Sequence, residues 1–169
     1  MRTIGVAIAV PEPFGEQLRA KRRSYGDTMA ETVPSHVTLV PPTEVDDAQL
    51  GRLVEALTQV AAIIPSFRMT LQGTGTFRPI SPVVFVAVSE GISVTELLAQ
   101  AIRHAVDLPE PQFPFHPHVT VAHHLDDESL DRAFDDLSDF RCSFEVSQFS
   151  LYFHDDEQGW MPERSFRLS

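Results

Sequence analysis

Apolar side chains recur along this chain with two periods, one of two residues and one of three to four, and the elements follow from where each holds. Thr3 to Val10 is β-branched and apolar and predicts a buried strand, closed by Pro11 and Pro13. Pro13 suits the first turn of a helix carrying Phe14, Leu18 and the basic run Arg19, Lys21, Arg22 and Arg23. Gly26 and Asp27 predict a break, followed by a loop that ends in Pro34. Ser35 to Val40 predicts a strand, stopped sharply by Pro41 and Pro42. Thr43 is expected to cap the next helix, with Asp46 near its start. Leu50, Leu53, Val54, Leu57, Val60, Ala61 and Ile64 form that helix's apolar face, and Pro65 ends it. Phe67 to Leu71 predicts a strand, with a turn at Gly73 and Gly75.

A similar succession follows. Val83 to Val88 is a strong strand, and Ser93-Val94-Thr95-Glu96 has the form of a capping box before Leu97, Leu98, Ala101, Ile102 and Ala105. A proline-rich loop runs from Pro109 to Pro117, and His118 to Ala122 predicts a strand. The acidic run Asp126 to Glu128 suits a helix start, with Leu130, Phe134 and Leu137 facing inward. Phe144 to Phe153 and Ser165 to Leu168 predict two closing strands around a turn near Gly159. Strand, helix, loop, strand, helix, strand thus occurs twice, in half-patterns of about 1–78 and 79–169. The spacing of about 30 residues from first strand to second suits a strand-helix-strand unit. No low-complexity linker separates the halves, so one bilobal, pseudo-twofold α+β domain over 1–169 is expected.

The 169 residues are enough to bury a core without staples, since a chain of this size hides roughly 70% of its unfolded surface. The single cysteine, Cys142, excludes an internal disulfide and suits a reducing compartment. The apolar run Ile4 to Val10 is too short to span a membrane, and no small-residue cleavage site follows it. A cytoplasmic monomer is the expectation. The net charge of −11 repels long polyanions, so an extended nucleic-acid surface is not expected. A pocket focused on one phosphate or one RNA end remains open to it. The basic run reads as a solvated helix face.

The candidate chemistry lies in His36-Val37-Thr38-Leu39 and its echo His118-Val119-Thr120-Val121. On a strand, a histidine and a threonine two residues apart share a face, roughly 7 Å apart. Two such pairs facing each other would hold a phosphate between two proton carriers. Histidine, with an ordinary pKa near ~6.5, serves as base and as acid at neutral pH. Opening a cyclic phosphodiester needs both, and the threonine hydroxyls supply oriented donors to the phosphoryl oxygens. A lone His-x-Thr is a common strand sequence. Its recurrence at equivalent points of two half-patterns is not.

Val33-Pro34-Ser35-His36-Val37-Thr38-Leu39 and Phe115-His116-Pro117-His118-Val119-Thr120-Val121-Ala122 together resemble the motifs of the two-histidine (2H) phosphoesterases. The similar branch is the one called 2′,5′ RNA ligase or RNA 2′,3′-cyclic phosphodiesterase. The resemblance extends to Val6–Pro11, to Gly73–Phe77 leading into Val83–Val88, and to Phe149–Leu151. It implies two antiparallel sheets flanked by helices around a central cleft, and no cofactor or metal. It also implies His36 and His118 as the acid–base pair and Thr38 and Thr120 as phosphate binders. The implied reaction is metal-independent opening of a 2′,3′-cyclic phosphate, on a nucleotide or an RNA end, to a phosphomonoester. In that reaction His118 activates water and His36 protonates the leaving oxygen. Ligation or cleavage of 2′,5′ bonds is the alternative within the family, and a non-catalytic nucleotide-binding module the alternative outside it. Relatives often carry an arginine soon after the second motif, where this chain has Ala122, His123 and His124.

Phe14, Phe115 and Trp160 are candidates to stack on a nucleobase, and Arg78 to approach a phosphate. His116, His118, His123 and His124 crowd one stretch, but the spacing brings no carboxylate to them and no metal is assigned. His123 is expected one face away from His118 and Thr120. His104 and His154 belong to no motif.

Overall fold

The computed structural model describes residues 1–169. In β1 (Arg2–Ala9), Ile4, Val6 and Ile8 point into the core while Gly5, Ala7 and Ala9 line the other face. α1 (Phe14–Ser24) follows, then a 3₁₀ turn at Thr28–Glu31 whose N-cap is Asp27. After β2 (His36–Val45) and α2 (Asp47–Ile63) come β3 (Phe67–Thr76) and β4 (Val83–Glu90). The remainder is α3 (Ile92–Ala105), β5 (His118–His123), α4 (Asp127–Asp136), β6 (Arg141–Val146), β7 (Gln148–Asp155) and β8 (Gly159–Arg167).

The strands form two four-stranded antiparallel sheets, ordered β2-β1-β7-β8 and β5-β4-β3-β6. The two orders correspond, with a motif strand at one edge of each sheet and the strand that opens its half beside it. The sheets do not divide the chain where the half-patterns meet. β3 closes the first half-pattern yet pairs in the second sheet, and β7 and β8 return from the chain's end to complete the first. The helices cross in the same way, α1 packing against β5 and α3 against β2. One continuous core results, in which Leu57, Leu98, Ile102 and Leu130 from the helices join Val6, Val37, Val86 and Val119 from the strands. The edge strands β2 and β5 pack against each other, which brings the two motifs together.

Six local expectations are corrected. β2 does not stop at Pro41 but runs to Val45. Ile4 pairs with Thr43 and Val6 with Val40, so both prolines sit in a bulge opposite Gly5 on an edge strand, where no ladder bond needs their missing N–H. The cap of α2 is Asp46, in a capping box with Gln49, while the Thr43 hydroxyl donates to the Pro41 carbonyl instead. Ser93 lies inside α3, because a single left-handed residue, Gly91 at φ 93°, turns β4 into that helix. A side chain at Gly91 would meet the Arg68 carbonyl at 2.8 Å, so no capping residue fits. Gly73 and Gly75 form no turn; β3 passes through both, with Gly73 at a bulge and Gly75 making room for the Phe85 ring. The predicted strand Phe144–Phe153 is two strands, β6 and β7, which break at Ser147 and enter different sheets, and β8 begins at Gly159 rather than Ser165.

Candidate active site

β2 and β5 repeat each other beyond their sequence. Opposite β1, His36 pairs with Ala9 and Thr38 with Ala7, after which the register skips Leu39. Opposite β4, His118 pairs with Ala87 and Thr120 with Phe85, after which the register skips Val121. Each motif thus ends in a bulge that kinks its edge strand beside the cleft. The imidazoles are held alike. His36 Nδ1 lies 2.7 Å from the Pro34 carbonyl and His118 Nδ1 2.7 Å from the His116 carbonyl. A carbonyl only accepts, so each Nδ1 carries its proton, and each Nε2 of the neutral ring presents a lone pair. Each carbonyl lies two residues upstream of its ring, with Pro34 supplying it in the first motif and Pro117 standing between His116 and His118 in the second. Thr38 and Thr120 are half-buried, and neither hydroxyl is committed to a protein partner.

The floors of the two halves differ. Beneath His36 and Thr38, β1 offers only Gly5, Ala7 and Ala9, leaving a cavity of about 80 Å³. Trp160 and Tyr152 wall it, with Val33, Pro34 and Pro42 at its rim. The Trp160 ring lies over Gly5, where a Cβ would approach it to 3.2 Å. The Trp160 backbone N–H donates to the Thr32 carbonyl, pinning the segment that carries Pro34. Beneath His118 the space is filled. Phe77 lies edge-on to it at 5.0 Å, Phe85 is 5.2 Å away, and exposed His116 completes the group.

Burial is the main force on both imidazoles, and it pushes both below the ordinary histidine range. At His36 the Arg22 charge adds to it; at His118 the charges of His116 and His36 do. The carbonyl bonds at Nδ1 oppose it in both. Each ring is therefore neutral near pH 7.

Arg22 is a correction to the solvated basic face. Arg19, Lys21 and Arg23 do meet solvent and pair with Glu16, Asp136 and Glu31. Arg22 is 6% exposed, and its Nε donates to Asp27 Oδ2 at 2.8 Å. The same oxygen accepts the His123 backbone N–H at 3.0 Å, and Asp27 Oδ1 accepts that of Met29 at 2.9 Å. The sequence carried a signal for this: Leu18, Arg22 and Tyr25 are spaced i, i+4, i+7, and the flanking two are core residues.

Other candidates fall in different places. Trp160 is the one aromatic candidate that lines the cavity beside His36. Phe14 and Phe115 are half-buried against the core. Arg78 is engaged by Asp131 at 2.9 Å and Asp127 at 3.8 Å on α4, so its charge is already met. His154 lies edge-on to Trp160, and His104 is exposed. No group of three or more His, Cys, Asp or Glu side chains gathers as a metal cage would require. No helix is long and apolar enough to cross a membrane.

Comparison with known proteins agrees with this architecture. A "Putative phosphoesterase" of Geobacillus kaustophilus is 25% identical over 164 residues, covering 96% of this chain and 94% of the relative. A crystal structure of E. coli LigT complexed with NADP+ superimposes with a TM-score of 0.72 at 21% identity, over 99% of this chain and 98% of that one. LigT complexed with 3′-AMP gives 0.71 at 20% identity over the same shares. The fold is therefore that of LigT. Residues 10–158 match the family model of the 2′-5′ RNA ligase superfamily, and the chain belongs to that superfamily.

Proposed function

We propose that the cleft is a metal-independent phosphodiesterase site that opens a 2′,3′-cyclic phosphate, on a nucleotide or an RNA end, to a phosphomonoester. The observation that carries this is the matched pair of imidazoles on facing edge strands, each with Nδ1 tied to a carbonyl and Nε2 free. A site that only binds phosphate has no use for two proton carriers held in one tautomer.

The step runs as follows. His118 Nε2 takes a proton from water as its oxygen attacks phosphorus. The bond from phosphorus to one ribose oxygen breaks, and that oxygen takes the Nε2 proton of His36, which enters the reaction as the doubly protonated ring while His118 enters it neutral. The enzyme is left with His118 protonated and His36 neutral, and exchange with solvent restores it. Like-charge pressure from His116 and His36 favours the neutral state of His118 that a base needs. Thr38 and Thr120 donate to the phosphoryl oxygens as charge develops there. The nucleoside lies over Gly5 and Ala7, because that side is open while Phe77 and Phe85 fill the other. Trp160 then offers its face to the base, a contact contributing ~1–3 kcal/mol. A single chain supplies both pairs, so residues 1–169 act as one bilobal unit and a monomer suffices. LigT has been crystallised with 3′-AMP, a phosphomonoester of the kind this opening yields.

Phosphorus NMR of the protein with 2′,3′-cyclic AMP and excess EDTA tests the reading. Conversion to a single phosphomonoester is expected. No conversion of the mononucleotide or of a dinucleotide ending in a cyclic phosphate would overturn it.

The pH profile is a separate expectation. Turnover needs one histidine neutral and the other protonated, so kcat/KM peaks midway between the two free-enzyme pKa values. Both are lowered, so the optimum falls on the acid side of ~6.5. Initial rates from pH 4.5 to 9 check this, and an optimum above pH 7.5 would contradict it.

A further inference from the structure

The two motifs match in register, in bulge and in the bond at Nδ1, and they differ in what stands two residues upstream. Before His36 that place is held by Pro34, which offers a carbonyl and no titratable group. Before His118 it is held by His116, which offers the same carbonyl and an imidazole besides. The ring centres of His116 and His118 lie 6.1 Å apart. Both rings rest on the same two phenyl groups. His116 is edge-on to Phe77 at 5.7 Å and to Phe85 at 5.1 Å, and His118 lies 5.0 Å and 5.2 Å from them. Phenyl rings hold the His116 ring in place without engaging its nitrogens, and neither nitrogen makes a hydrogen bond within the protein.

Exposure divides the two imidazoles. His118 is half-buried at the cleft, while His116 is exposed at the end of the proline-rich segment 109–117. Opening a cyclic phosphate leaves His118 with a proton on Nε2, and the ring must lose it before the next turnover. His36 has the opposite need, a proton to gain. The groups brought to His118 are few. Across the cleft β2 presents His36, and β4 and the end of β3 present only Phe85 and Phe77. α1 brings Arg22, which is tied to Asp27, and α4 brings Asp127 and Asp131, which are engaged by Arg78. Of all these neighbours and His116, only the two imidazoles exchange protons near neutral pH, and of those two only His116 is exposed.

We propose that His116 is the proton exit of the site, carrying to solvent the proton that each turnover leaves on His118. This rests on the cyclic-phosphodiesterase reading and adds to it a residue that acts through the base and does not touch the phosphate. His118 Nε2 gives its proton to a water between the rings, and that water gives one to the unprotonated nitrogen of His116. His116 then releases a proton to bulk water. Both rings end neutral, and one proton has left the site. The charge that His116 holds in between lowers the affinity of His118 for a second proton, so the base resets in one direction. Pro34 has no such group, so the relay serves one motif only, which sets His118 as the base and His36 as the acid.

Substitutions at 116 leave the backbone carbonyl in place, so the bond to His118 Nδ1 survives each of them. In dilute succinate buffer, His116→Ala is expected to lower kcat for 2′,3′-cyclic AMP by about tenfold, with KM little changed. Free imidazole should restore most of that loss, because the missing side chain leaves room for it at an exposed place. His116→Phe, which keeps a ring against Phe77 and Phe85, should lose as much and gain nothing from imidazole. In both variants the pH optimum of kcat/KM should move upward, since a like charge beside His118 is gone. An undiminished kcat in His116→Ala, or a loss that imidazole leaves in place, would overturn the relay alone. A wild-type protein that opens neither 2′,3′-cyclic AMP nor a dinucleotide ending in a cyclic phosphate would overturn the phosphodiesterase reading and the relay with it.

Discussion

His118→Ala is expected to lower kcat for 2′,3′-cyclic AMP by about 10²–10⁴-fold, and His36→Ala by a similar factor, because each removes one of two proton transfers in a single displacement. The double variant should fall little further than either single one, since half of an acid–base relay is worth little more than none. Neither change should unfold the protein. Both rings are half-buried at the cleft, and each makes one hydrogen bond, to a carbonyl two residues upstream. Losing such a bond costs about 0.5–1.5 kcal/mol. At about 2–4 °C per kcal/mol for a chain of this length, Tm should fall by no more than about 6 °C. Rates and melting curves measured on the same preparations separate the two effects. A single variant retaining more than about a tenth of wild-type kcat would remove that histidine from the chemistry.

The motif strands were legible because their information is local. A period of two assigns His36 and Thr38 to one face, and His118 and Thr120 likewise, before any partner strand is known. The repeat then told that the faces meet, though not how. The exchange of β3 between sheets and the crossing of α1 and α3 depend on long-range pairing, and nothing in the residues of β3 names its sheet. The bulges at Leu39 and Val121 were hidden for the same reason, since a bulge is a relation between two strands. The bulge at Val121 puts His123, paired with Val83, on the face of His118 and Thr120 and not one face away as the unbroken alternation predicts. Gly5, Ala7 and Ala9 were legible in principle: small residues at alternate positions beside Ile4, Val6 and Ile8 describe a strand with one packed face and one face left open. Read only as a buried strand, the stretch did not reveal the floor of a cavity. The proline stop at Pro41 failed because Pro and Gly rules assume a strand with neighbours on both sides, and β2 is an edge.

Asp27→Ala should be the most destabilising single change near the cleft, by about 3–5 kcal/mol. Asp27 is 3% exposed and serves three donors: Arg22 Nε and the backbone N–H groups of His123 and Met29. Removing it strands the buried Arg22 charge and two N–H groups at once. The loss should lower Tm by about 6–20 °C at the same conversion. Asp27→Asn keeps an acceptor for the backbone groups but not the charge, and should fall between. Replacing the ion pair whole, as Arg22→Met with Asp27→Leu, should recover much of the loss, because the cost lies in an unpaired buried charge more than in the absence of the pair. An Asp27→Ala protein melting within about 2 °C of wild type would show that the pair carries no such cost. The position of Asp27 gives the experiment a second reading. It caps the turn after α1 and binds the last residue of β5, so it joins the first half of the chain to the strand carrying His118. Loosening that joint lets the edge strands part before the sheets themselves unfold. The Asp27 variants should therefore lose kcat/KM at temperatures well below their melting points, whereas the histidine variants lose rate at every temperature alike.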